Sequence, residues 1–198
     1  MTQSIPILNK QDYSQILGTA IASILAAESA AQQALAPGEG LDAADYKLRV
    51  YRNRSNPWEM FRGNPDDLSP IVNVWYDTGT FDLGSSNNST RQKTDSRYNI
   101  DAYCYAESSA DGDGHTAGDK AAVDKAEHAA MLIRNILMHD KYIYLGNQGV
   151  VWRRWVSQKT IFQPQSGGKI VEGKGLFDVR NHLPQLGAKI VPTEKVGG

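Results

Sequence analysis

Residues 112–117 read Gly-Asp-Gly-His-Thr-Ala, a G-x-G-x-x-A spacing between a predicted strand and a predicted helix. In that setting the glycines let the backbone approach a pyrophosphate seated on the helix N-terminus. The surrounding charge opposes such a ligand. Asp111, Asp113 and Asp119 put negative charge where the anion would sit, and the preceding strand alternates polar and apolar residues instead of running apolar. The segment reads as a linker whose carboxylates favour the positive end of the following helix. Gly38-Glu39-Gly40-Leu41-Asp42-Ala43 has the same spacing but follows a helix, so it fails on context. Nor is the acidic linker an EF-hand. A loop beginning at Asp111 needs glycine where Thr116 stands and glutamate where Ala122 stands. Against a looser cation site on Asp111, Asp113 and Asp119, a solvated turn is the simpler reading.

The four histidines, His115, His128, His139 and His182, show no metal-ligand or protease spacing. Glu127-His128 is assigned to the polar face of its helix as a surface pair. There is no G-x-S-x-G elbow, and Gly168-Lys169 lacks both the upstream glycine and the following Ser/Thr of a P-loop. Cys104 is the only cysteine, which excludes an intramolecular disulfide and a Cys-based zinc site. Between Ala102 and Ala106 it reads as a small buried hydrophobe, without the adjacent base or cation that activates a thiol. The chain is therefore expected to be no enzyme and to hold no cofactor or metal.

What the sequence does offer is aromatic and basic material. Trp152-Arg153-Arg154-Trp155 alternates along a predicted strand, Trp58 and Phe61 fall in a predicted loop, and Arg91, Lys93 and Arg97 cluster near a predicted hairpin. Trp, Tyr and Arg anchor protein interfaces, and basic residues interleaved with aromatics also stack on single-stranded nucleic acid. With a net charge of −1 the chain has no global positive field, so protein contact is the favoured reading of these nine residues.

The elements that position them follow from periodicity. The 198 residues, 40% hydrophobic and 22% charged, suit one globular core. Apolar residues at Tyr13, Ile16, Leu17, Ala20, Ile21, Ile24 and Leu25 have the three-four spacing of a helix over 13–35. Asn9 or Asp12 caps it, Pro37-Gly38 ends it, and Gly18 within it marks close packing. Residues 16–36 are Ala-rich but interrupted by Glu28, Gln32 and Gln33, too polar for a membrane span. Residues 1–10 lack a signal-peptide pattern. The expected location is a cytoplasm, where the sequons at Asn53, Asn87 and Asn88 carry no meaning.

Alternation predicts strands over 46–52, 71–76 and 98–106, with loops at 55–57 and 63–65 and a long polar hairpin tip over 77–95. Strict alternation favours an antiparallel sheet with one wet face. After the linker at 108–118 a second helix is expected over 119–138, on a stripe of Ala122, Ala126, Ala129, Ile133, Ile136 and Leu137. Strands over 142–145 and 150–162 follow, then a Gly-punctuated tail with β-like runs at 169–171 and 188–191. The fold class is thus α+β: a single, mainly antiparallel sheet with two helices packed on one face, plus a C-terminal β-like arm. The expected organisation is a domain over 1–162 and an extension over 163–198.

Three stretches carry a resemblance. They are Pro70-Ile71-Val72-Asn73-Val74-Trp75-Tyr76 with its polar hairpin and Tyr98-Asn99-Ile100-Asp101-Ala102-Tyr103; the Ala-rich helix ending Ile133-Arg134-Asn135-Ile136-Leu137; and Tyr144-Leu145-Gly146 with the Trp152-Arg153-Arg154 strand. Over residues 11–162 they resemble the tail terminator, or neck, proteins of tailed bacteriophages. The resemblance implies a virion protein, assembled in the host cytoplasm, that forms a homo-oligomeric ring, usually a hexamer, on the tail tube protein. Such a ring ends tube growth and presents the surface on which a head–tail connector protein joins. In contractile members it also touches the tail sheath protein, and nucleic acid only passes through the lumen. Another neck component, such as a head-completion connector, is the near alternative, and a single-stranded nucleic-acid-binding module the distant one.

Overall fold

A computed structural model of the chain describes residues 13–57, 59–64, 66–81, 94–106, 109–111, 114–116, 118–143, 145, 151–155, 159–164 and 177–190. The three-four stripe forms helix α1 (Tyr13–Leu35) and buries Leu17, Ile21, Ile24 and Leu25. Pro37 opens a 3₁₀ turn, Ala36–Glu39, which ends on Gly40 at φ 72°, a left-handed conformation that glycine adopts without steric cost. Gly18 does mark a close approach. A Cβ there would lie 3.0 Å from the Arg52 guanidinium and 3.3 Å from the Tyr98 ring.

Strand β1 (Arg49–Arg52) starts later than the alternation of 46–52 predicts, and Ser29 is the reason. Its Oγ donates to Tyr46 O at 2.8 Å and accepts from Leu48 N at 2.9 Å. The backbone of 46–48 is thereby bonded to α1 and not available to a sheet. Just before it, Ala43–Tyr46 forms a 3₁₀ turn capped by the Asp42 side chain. From β1 the chain passes through a short helix, α2 (Glu59–Gly63), where the sequence predicts loop. It then enters β2 (Ile71–Phe81), parallel to β1 with Arg49 opposite Ile71.

β3 (Thr94–Ala106) returns antiparallel, placing Val72 opposite Ala102, Val74 opposite Ile100 and Tyr76 opposite Tyr98. The two strands reach well into the predicted hairpin tip, whose remainder, 82–93, lies outside the described residues. The predicted linker holds two short strands, β4 (Ser109–Asp111) and β5 (Gly114–Thr116), paired with each other in a sheet of their own. Helix α3 (Gly118–Met138) then buries all six residues of its predicted stripe.

Of the strand expected over 142–145, the described residues 142, 143 and 145 form none. Tyr142 and Ile143 are strand formers by type, but the chain here is wound into a 3₁₀ turn, Asp140–Tyr142. His139 Nδ1 accepts from Lys141 N at 3.1 Å and Tyr142 N donates to His139 O at 2.9 Å. Leu145 follows at φ 48°, fully buried in the core; burial there takes precedence over strand propensity.

The predicted strand over 150–162 is two strands, β6 (Val151–Trp155) and β7 (Lys159–Pro164). The β-like segment beyond Gln163 is a strand as well, β8 (Phe177–Ile190), and it belongs to the same sheet. It lies antiparallel to β3 on one side; on the other, β7 pairs with its first half and β6 with its second. The expected boundary at 162/163 thus falls inside β7. Of the two predicted tail runs, 188–190 closes β8 and 169–171 lies outside the described residues.

The result is an α+β fold whose six-stranded sheet is antiparallel except for β1–β2, with α1 and α3 packed on one face and the β4–β5 pair apart from it. Val72, Val74, Tyr98, Ile100, Ala102 and Cys104 meet both helices there, so Cys104 is the buried hydrophobe the sequence suggests. The opposite face, wet by the alternation, is covered at one end and carries the exposed Arg97 at the other. Phe61 of α2 packs on Ile71 and Tyr103, with Met60, Tyr51 and Tyr105 around them. Two polar residues on this face are buried because each is bonded. Asn73 exchanges hydrogen bonds of 3.0 Å with the Arg54 backbone, and Asp101 accepts from Trp75 Nε1 at 2.9 Å.

Candidate interaction surface

Where α1 and α3 meet the turn after α3, a groove of about 350 Å³ opens between Leu132, Ile136 and Met131 of α3, Tyr46, and Glu28 of α1. Glu28 Oε1 accepts from both Lys141 Nζ and Tyr142 Oη, tying the two ends of the helical layer together. Lys141 and then Tyr142 hold the Glu28 carboxyl below its ordinary value, against the opposing effect of burial. Burial first, and then the bond to Glu28, pushes the Tyr142 phenol up. His128 is not the surface group expected beside Glu127. Its ring lies half-buried and edge-on to Tyr46, centroids 5.9 Å apart, and its Nε2 is buried without a hydrogen-bond partner.

A second groove, about 620 Å³, runs along the 66–70 segment between α3 and the 3₁₀ turn before β1. Asp67 organises it. Its carboxylate accepts from Lys47 Nζ at 2.9 Å, Ser69 N at 3.1 Å and Ser69 Oγ, with Arg49 Nε 3.8 Å away. Burial alone raises the pKa of this group. The Ser69 and Lys47 bonds and the Arg49 charge outweigh it and hold the carboxyl well below the usual range. From α3, Lys125 Nζ donates to Leu68 O at 3.0 Å. These contacts are clamps that fasten the segment before β2 to both β1 and α3. Among the described residues no three His, Cys, Asp or Glu gather as metal ligands, and no helix is long and apolar enough to cross a membrane.

The nine candidate interface residues do not form one patch. Phe61 is buried, with the Arg49 guanidinium 5.0 Å above its ring and Tyr105 6.0 Å away, so it serves the fold. Arg97 is exposed on β3, opposite Thr78 and Gly187. Trp152, Arg153, Arg154 and Trp155 lie in β6, in register with Lys189, Ala188, Gly187 and Leu186 of β8. Trp58, Arg91 and Lys93 lie outside the described residues.

Sequence reasoning missed the exposed apolar side chains. Met131 (51% exposed) is part of the wall of the first groove, Ile143 (48%) follows the groove residue Tyr142 in the chain, and Leu35 (61%) and Leu41 (51%) stand at and just beyond the end of α1. Leu35 lies one turn beyond Gln32, which lines the same groove. Met131 falls off the α3 stripe, a signal that was legible; Leu41, in a Gly-flanked loop, gave none.

The sheet is also open at its β1 edge. Arg49 N donates to Pro70 O and Asn53 N to Val74 O. By the alternation of a parallel ladder, the N–H groups of Val50 and Arg52 therefore point away from β2, and no strand of the described residues lies beyond β1. Comparison with known proteins finds no matching family model and no curated protein of significant similarity.

Proposed function

We propose that this chain is a structural virion subunit that assembles into a ring on a phage tail tube, ending tube polymerisation and offering the surface on which the head joins. The observation that carries the reading is the exposure of four apolar side chains, Leu35, Leu41, Met131 and Ile143, with Met131 in the wall of the α1–α3 groove. Side chains of this kind, together with an open strand edge, are liabilities for an isolated globule and contacts for an assembled one. A closed symmetric ring repeats a modest contact around its axis, so small patches suffice. The helix–sheet–helix–sheet order of residues 13–164 fits the neck-protein resemblance in the sequence.

The test is removal of the gene from its phage, followed by electron microscopy of the particles. Over-long tails are expected of a terminator. Tails of normal length with unfilled or leaking heads point to a head-completion connector instead. Normal virions in normal yield end the neck reading altogether.

A further inference from the structure

We infer that the β4–β5 hairpin of one copy adds to the open edge of β1 in the next copy, extending that neighbour's sheet. The inference gives the proposed ring its subunit contact and rests on that reading only for closure into a ring.

Two unpaired features motivate it. β4 and β5 hold three residues each and, among the described residues, pair only with each other and make no extensive contact with another helix or strand. A two-stranded hairpin of that size is marginal in water and gains from a third strand. β1 offers what it lacks, the outward N–H groups of Val50 and Arg52 on an uncovered edge, and adding a strand to such an edge is a recurring mode of recognition.

Charge identifies the partner. Residues 47–54 contain Lys47, Arg49, Arg52 and Arg54 and no acid. Lys47 and Arg49 are neutralised by Asp67 and the Arg52 guanidinium is turned onto α1, donating to Thr19 Oγ1, whereas Arg54 is exposed and pairs with no carboxylate among the described residues. Residues 107–119 contain Glu107, Asp111, Asp113 and Asp119 and no lysine or arginine. The rival occupant within the same chain, the β6/β7 edge, brings Arg153, Arg154 and Lys159, so it would set like charges against β1. The hairpin leaves the sheet past the Tyr103–Ile71 pair, at the end where β2 begins, whereas the β1 edge opens sideways. Each copy thus gives one surface and receives on another, the head-to-tail arrangement from which rings are built.

The test uses two full-length variants: Arg54→Glu on the edge, and Asp111→Lys with Asp113→Lys on the hairpin. Arg54 is exposed, and thermal unfolding verifies that both variants fold. Assembly is followed by analytical ultracentrifugation. Each variant alone should need about tenfold more protein to oligomerise. An equal mixture should assemble like wild type, because the unaltered hairpin of one variant meets the unaltered edge of the other and the two altered surfaces, both reversed in charge, also attract. In wild type, amide exchange at Val50 and Arg52 should slow on assembly. Wild-type oligomers that neither variant disturbs, or whose Val50 and Arg52 amides exchange as fast as in the monomer, overturn this contact and leave the ring reading standing. A wild type that stays monomeric even on purified tail tubes ends both.

Discussion

Asp67 gathers Lys47, Ser69 and Arg49 on one carboxylate, 17% exposed, while the Arg49 side chain is only 11% exposed. Asp67→Asn keeps an acceptor for Ser69 but removes the countercharge, and should cost about 1–2 kcal/mol at neutral pH. Because the folded-state pKa lies below the ordinary 3.8, the carboxylate's contribution is complete above the unfolded value. It is lost as pH falls through the folded one. The stability gap between wild type and Asp67→Asn should therefore hold constant from neutral pH to about pH 5 and close toward pH 2, as read by urea titrations at each pH. At this scale the sequence told part of the story. Cys104 and Gly18 declared themselves by their neighbours, since small residues on an apolar stripe mean burial or close approach. Glu28 and His128 did not, because their partners, Lys141 and Tyr46, are far away in the chain.

Among elements, α1 is fastened to the segment leading into β1 by one hydroxyl. Ser29 is 1% exposed, and its Oγ serves Tyr46 O and Leu48 N while also lying 3.2 Å from Gln33 Nε2. Ser29→Ala would leave the buried Leu48 N–H without an acceptor. The expected loss is about 2 kcal/mol, with faster amide exchange at Leu48 as the local signature. Periodicity revealed α1 and α3 because α3 buries its whole stripe and α1 the Leu17, Ile21, Ile24 and Leu25 centre of its own. It failed at Tyr142 and Ile143, where a 3₁₀ turn leads to the buried Leu145, and at α2, where Met60 and Phe61 are too few to form a stripe.

At the scale of the whole molecule, β8 is the strand that β3, β6 and β7 share. A chain ending at Pro164 would bare the long β3 edge and leave β6 and β7 without partners. It should lose the cooperative thermal transition and aggregate on gel filtration, whereas a free-standing 1–162 unit would melt as sharply as the full chain. The sequence hid this role. Phe177–Ile190 contains Pro184 and Gly187, residues that weaken any strand assignment, and nothing local says that a late segment inserts between earlier ones.

That insertion has a bearing on timing. β8 is synthesised after every strand it joins, so a growing polypeptide passes through a period when β3 has a vacant flank and the Trp-Arg-Arg-Trp run has nowhere to dock. Completion of the sheet then waits for translation to pass Ile190. Unfinished chains stay without a closed sheet, and the cell's chaperones have an interval in which to hold them.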